Sequence, residues 1–182
     1  MGHNPLIRQL FLATVGQTFE RLFCSSRRLG TLLYRWMRWH MFLGRYEHSL
    51  DSKGRLTLPS EYAADLAAGV VLTRGMENCV YLFPNAEFDR ISVQLNTLSL
   101  TDSRARKLKR WLLSNAQRIE PDRQRRVIVP QRLRDIATIS DKVLIAGMDT
   151  YLELWQPDAW DDHDRLLEQE AADQDFFASL VI

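Results

Sequence analysis

The sequence has 182 residues, a formal net charge of +1, and 46% hydrophobic against 26% charged residues, which fits one ordinary or two small globular domains and excludes a disordered chain. Its two cysteines, Cys24 and Cys79, stand far apart with no CxxC partner, which argues against a zinc site and for a reducing, cytosolic setting. The charge is uneven: residues 1–40 hold six arginines against one acid (+5), residues 41–155 are mildly basic (+3), and residues 156–182 hold one arginine against eight acids (−7). A basic middle is compatible with nucleic acid without demanding it, and the acidic tail belongs away from phosphate.

In chain order, residues 1–40 come first. They are Arg-rich and studded with Leu, Phe and Trp, ending in Tyr34-Arg35-Trp36-Met37-Arg38-Trp39-His40. Arginines break every apolar run before it reaches the roughly 18 residues of a membrane span, and there is no small-residue cleavage site after a clean apolar block. An amphipathic helix on a membrane surface remains open. The plainer expectation is a disordered extension or an upstream mis-start, because Met41 is a plausible start for everything downstream.

From Phe42 to Leu50 the chain reads as extended, and Asp51-Ser52-Lys53-Gly54 as a tight turn: Asp can accept from backbone N–H groups two residues on, and Gly supplies positive φ. Arg55 to Leu58 alternates, with Leu56 and Leu58 facing a core and Arg55 and Thr57 facing water. Pro59 ends this strand, Ser60 is placed to cap a helix over Glu61–Ala68, and Gly69 closes it. Val70–Thr73 and Val80–Phe83 read as strands joined by a turn over Gly75–Asn78. Two helices are expected next, Glu87–Leu95 and Ser103–Gln117, the second with Leu108, Leu112 and Ala116 on one face.

The pattern then repeats. Asp122-Arg123-Gln124-Arg125-Arg126-Val127-Ile128-Val129-Pro130 matches Asp51–Pro59 as D-x-x-x-R-h-x-h-P, h being apolar, at an offset of 71. Gly147-Met148-Asp149 matches Gly75-Met76-Glu77, and Leu154-Trp155 matches Leu82-Phe83 at nearly the same offset. Two matches in step mark a tandem duplication of a unit too small to bury a good core alone. The second unit is expected to supply a strand over Arg126–Val129, a helix over Gln131–Ala137, and strands over Val143–Ala146 and Tyr151–Trp155. An acidic amphipathic helix from about Pro157 to Leu180 closes the chain. Two small β-rich units with appended helices make an α+β protein.

These residues carry a resemblance. Met41-Phe42-Leu43-Gly44, Tyr46-Glu47-His48 and Asp51–Pro59 closely resemble the start of the MraZ family, whose members hold two AbrB-like (SpoVT-AbrB) DNA-binding modules. The resemblance covers about residues 41–165. It implies two swapped-hairpin β units paired as a pseudo-dimer, assembly into rings, and binding of double-stranded DNA at short direct repeats upstream of the division and cell-wall gene cluster. It further implies repression, the chain's own gene included, and residence in the cytoplasm on the nucleoid. The organisation expected is then a basic extension over 1–40, a first unit over 45–92, a helical connector over 93–120, a second unit over 121–164 and the acidic helix over 165–182. One departure stands out: Arg125 occupies the position of the turn glycine, so either the second turn differs or it accepts a strained φ.

The functional reading puts Arg55 and Arg126 in the DNA contact, where Arg can fork onto guanine or phosphate. Lys53, Arg123 and Arg125 would add phosphate contacts, Asp51, Gly54 and Asp122 would form the turns, and avidity over spaced repeats would sum weak single contacts. The plainer alternative makes both arginines ordinary exposed strand residues. The basic run Ser103–Arg110 reads as the solvated face of a packed helix. No P-loop, HExxH, GxSxG or dinucleotide fingerprint is present, so no enzyme, cofactor or metal is expected. Cys79 with His48 could be imagined as nucleophile and base, and Asp161-Asp162-His163-Asp164 as a metal site, but a core cysteine and an exposed acidic helix are the better accounts. An antitoxin-like or scaffold module that binds a protein through the acidic helix is the remaining alternative; antitoxins of this kind usually carry a single copy of the unit.

Overall fold

The structure, a computed structural model, describes residues 41–172. The readings for residues 1–40, and for the far end of the acidic helix with Phe176, Phe177 and Leu180, lie outside the described residues. The first unit supplies β1 (Arg45–Ser49), β2 (Arg55–Thr57), a 3₁₀ turn (Ser60–Tyr62) running into α1 (Ala63–Leu66), β3 (Val70–Arg74) and β4 (Val80–Pro84). Two helices follow, α2 (Asn85–Thr97) and α3 (Ser103–Leu113). The second unit then supplies β5 (Gln117–Ile119), β6 (Arg126–Ile128), α4 (Gln131–Ile136), β7 (Lys142–Met148) and β8 (Tyr151–Trp155), followed by α5 (Pro157–Ala171).

The duplication governs the topology. The six-stranded sheet runs β1-β7-β8-β4-β3-β5, and exchanging each strand for its repeat mate returns the same order read from the opposite edge. Each unit's first strand therefore lies on the other unit's hairpin: β1 on β7, with Tyr46 opposite Ile145, and β5 on β3, with Arg118 opposite Val71. The mates β4 and β8 pair at the centre, Tyr81 opposite Glu153. A separate two-stranded ribbon joins β2 to β6, with Leu56 opposite Val127. The chain is thus an α+β pseudo-dimer with swapped strands. Its main core takes Leu56, Leu58, Val127 and Val129 from the ribbon and Val70, Leu72, Val80, Leu82, Val143, Ile145, Leu152 and Leu154 from the sheet. The other sheet face is covered as well, by α2 through Phe88 against Val71 and Phe83, and by α5 through Trp160 against Trp155. Burial on both faces explains why these strands read as near-continuous apolar runs rather than alternating ones.

Some local expectations are corrected. The first helix is shorter than Glu61–Ala68. Ser60 does not cap it; the chain leaves Pro59 directly into a 3₁₀ turn with no side-chain cap. The helix expected to reach Gln117 stops at Leu113, because Gln117 is needed as a β5 ladder partner of Leu72. The strand expected to end at Ala146 continues to Met148, so Gly147 lies within a strand rather than in a turn. The basic run on α3 behaves as a solvated face: Arg104, Lys107 and Arg110 are exposed while Ala105 is buried. Trp111 on the same helix donates to Gly75 O (3.1 Å) and carries the Arg74 guanidinium 3.6 Å above its ring.

Candidate nucleic-acid interface

Each D-x-x-x-R motif folds into the same braced turn. In the first, Asp51 Oδ1 accepts from the backbone N–H of Lys53 (2.9 Å) and of Arg55 (3.0 Å), and Oδ2 accepts from Arg55 Nε (2.6 Å). In the second, Asp122 Oδ1 accepts from Gln124 N (2.8 Å) and Arg126 N (3.0 Å), and Oδ2 from Arg126 Nε (2.8 Å). The closing backbone bonds also match: Gly54 N to Asp51 O and Arg125 N to Asp122 O, both 2.8 Å. The backbone N–H of Arg55, aided by its side chain and the Lys53 N–H, holds Asp51 down at about 2. The Arg126 side chain and backbone do the same for Asp122, also to about 2. Hydrogen bonds to the charged form favour it, so both braces stay ionised throughout the neutral range.

This revises the picture of two arginines reaching freely into water. The Arg55 and Arg126 side chains are only 28% and 25% exposed, and each is ion-paired within its own turn. The aspartate fixes the direction of the guanidinium. Of the Arg55 side chain, only Nε is engaged among the described residues, whereas Arg126 also brings Nη2 to 2.7 Å from Asp122 Oδ2. Lys53, Arg123 and Arg125 are exposed beside them. The two turns sit at opposite ends of the β2–β6 ribbon: Leu58 N bonds Arg125 O (3.0 Å) and Val129 N bonds Gly54 O (2.9 Å). Ribbon pairing thus presents both turns on one framework.

The Arg125 departure has a structural answer. Arg125 adopts φ 60, close to the φ 73 of Gly54, so the turn is retained and the strain accepted, at about 1 kcal/mol for a residue with a Cβ. At Gly54 an added Cβ would stand 2.9 Å from Cζ of Arg134, so a side chain there would displace that guanidinium. Arg134, on α4, donates through Nε to Val129 O (3.2 Å) and through its Nη2 to Gln131 Oε1. Its repeat mate is Ala63. The first turn thus has a guanidinium packed against it from α4, whereas the second carries one on the turn itself. Sequence reasoning missed Arg134 because no local motif links it to Gly54. The compensating Ala63 and Arg134 at one repeat position were the available signal. Arg125→Gly is expected to stabilise the fold by about 1 kcal/mol while reducing the salt dependence of DNA binding by one phosphate contact. Thermal melts paired with salt titrations would check both halves.

The other candidate constellations resolve structurally. Cys79 is buried, and that burial pushes its thiol up. It precedes β4, whereas His48 is on β1, with β7 and β8 between, a span of about 14 Å at ordinary strand spacing. His163 stacks on Trp155 at 5.1 Å, Asp164 pairs with Arg45 at 2.9 Å, and Asp162 bonds Arg165. No helix among the described residues is long and apolar enough to cross a membrane.

Comparison with known proteins agrees with the duplication. The family model described as “MraZ protein, putative antitoxin-like” matches twice, over residues 41–111 and 112–179. The chain is 40% identical over 120 residues to the Transcriptional regulator MraZ of Roseiflexus castenholzii, covering 66% of this chain and 84% of that one. It is 42% identical over 130 residues to that of Bifidobacterium longum (71% and 85%) and 43% identical over 132 residues to that of Micrococcus luteus (72% and 91%).

Proposed function

Because this chain belongs to the MraZ family, we propose that it is a sequence-specific DNA-binding transcriptional regulator whose two braced turns grip duplex DNA. The observation that carries this reading is the matched pair of aspartate-braced arginines, Arg55 and Arg126, at opposite ends of one ribbon. Arginine with its direction fixed suits bidentate contact with guanine edges. Lys53, Arg123 and Arg125 suit phosphate contacts, which set position rather than sequence. An isolated exposed ion pair would contribute little to stability, so stability alone gives weak reason to build the brace twice.

The fuller proposal is that the chain represses the division and cell-wall gene cluster, its own gene included, by binding short direct repeats from the cytoplasmic nucleoid. Self-association into a ring would place several turn pairs along spaced repeats and multiply weak contacts. Exposed Val93, Leu98 and Leu100 offer the kind of apolar surface that subunit contacts use. The units proposed are 45–92 and 121–164, joined by the connector 93–120, with the acidic helix kept off the DNA by its charge.

The test is a gel-shift titration of the full chain on DNA from upstream of its own gene, with random competitor, across a range of salt. Three phosphate-contacting cations per chain predict that log K falls by about 2.7 per tenfold rise in salt. Specific binding with that dependence supports the regulator. No binding at any salt would reject it and favour a protein partner for the acidic helix.

A further inference from the structure

We infer that Ile128 is a base-reading residue that packs on the methyl group of a thymine in the major groove; this rests on the regulator reading above. The β2–β6 ribbon alternates strictly. Leu56, Leu58, Val127 and Val129 point into the core. Arg55, Thr57, Arg126 and Ile128 make up its outer face, where Ile128 is 54% exposed. The register places Ile128 directly opposite Arg55 and Thr57 opposite Arg126. Directly opposed side chains root about 5 Å apart, and residues two apart on a strand about 7 Å apart. A large apolar side chain therefore stands among the very guanidinium groups assigned to DNA.

Among the described residues, the apolar packing leaves it out. The main core is closed beneath by the inward residues of the same ribbon, and Ile128 belongs to none of the three apolar clusters. The surrounding cations, Arg55, Arg126, Lys53, Arg123 and Arg125, commit the surface to a polyanion. Within duplex DNA the choice narrows further. The major groove, about 12 Å wide, admits a two-stranded ribbon without deformation, whereas the minor groove, about 6 Å wide, must first be widened. Isoleucine neither donates nor accepts a hydrogen bond, and the apolar feature that the major groove offers is the thymine 5-methyl. The repeat mate of Ile128 is Thr57, a smaller side chain carrying a hydroxyl. The two ends of the ribbon therefore read their bases differently, and the thymine preference belongs to the end that carries Arg55 and the first turn.

The experiment replaces thymines one at a time with deoxyuridine, which lacks only the methyl, in duplex DNA from upstream of the chain's own gene. The full chain and its I128A and I128V variants are then titrated on each duplex. At one position the natural chain is expected to lose about fourfold in affinity, the worth of one buried methyl. I128A should bind the two duplexes equally, and I128V should keep part of the difference. The salt dependence should be the same for all three proteins, because Ile128 carries no charge. If the natural chain binds specifically but no deoxyuridine matters, or if I128A remains as sensitive, this inference is overturned and the regulator reading stands. If the natural chain shows no specific binding, both fall. A change in oligomeric mass of I128A without any change in methyl sensitivity would also overturn it, assigning Ile128 to a contact between subunits.

Discussion

Replacing Arg55 and Arg126 together with alanine is expected to lower operator affinity by a factor between about 30 and about twenty thousand, since each base-edge arginine is worth about 1–3 kcal/mol and each 1.4 kcal/mol is tenfold. Their roots lie on opposite strands, two residues apart in register, so the two losses should add only roughly. The fold should survive. Each arginine begins its strand with a partly exposed side chain, its inward neighbours Leu56 and Val127 are untouched, and an ion pair open to solvent adds little to stability. Thermal melting of the variant should therefore shift by only a few degrees while its gel shift disappears into the non-specific background.

The brace makes a finer distinction possible. Arg55→Lys keeps the charge but cannot fork onto a guanine, so it should lose discrimination against random DNA more than it loses total binding. Asp51→Asn keeps an oxygen for the two backbone N–H groups but no longer accepts from Arg55 Nε (2.6 Å in the present turn). If fixed direction matters, this variant should bind less specifically although its net charge is more positive. Tighter and equally specific binding by Asp51→Asn would mean that the aspartate only dampens the charge of the loop, and that the arginines act through charge alone.

The turns themselves were legible in the sequence because their causes are local. Asp51 and Asp122 accept from N–H groups two residues on, and Pro59 and Pro130 end the strands that follow. The brace was half legible: Asp and Arg at a spacing of four were visible, but only a closed turn brings Arg Nε onto the carboxylate. The pairing of β2 with β6 was not legible in detail, because strands 71 residues apart find one another through burial of Leu56 and Val127, which leaves no mark on either strand alone. The same holds for β5. Three residues carry too little periodicity to announce a strand, and Gln117 was absorbed into the preceding helical pattern. Arg134 is the clearest case of tertiary information, since it meets Gly54 only because β2 and β6 pair across the repeat.

Gly147 tests that exchange. Alanine at this position is expected to destabilise the protein by about 3 kcal/mol, within the range for losing a buried aromatic, and to lower its melting temperature by about 10 °C. Gly147 lies in β7, and a Cβ there would stand 2.4 Å from the carbonyl carbon of Phe42, 2.5 Å from its oxygen and 2.6 Å from Leu43 N. These are backbone atoms, so no rotamer change relieves the clash. The segment must lift. It is held by Phe42 N to Asp149 O (2.7 Å), Asp149 N to Phe42 O (2.9 Å), Gly147 N to Gly44 O (2.9 Å) and the bond from Leu43 N to Tyr62 Oη (3.1 Å). Lifting it would also withdraw the Phe42 ring from its edge-on contact with Tyr62 at 4.9 Å. At Gly75, the repeat mate, the nearest atoms are the Cys79 and Tyr81 side chains, which can move, so Gly75→Ala should cost less. Phe42→Ala should cost about as much as Gly147→Ala, and the double variant little more than either, because both release one segment. DNA affinity measured well below the lowered melting temperature should be unchanged, since the ribbon turns are untouched. A melting temperature within 2 °C of the natural chain would mean that the first strand does not lie on β7 as closely as this, and full additivity with Phe42→Ala would mean that the two residues are held by separate contacts.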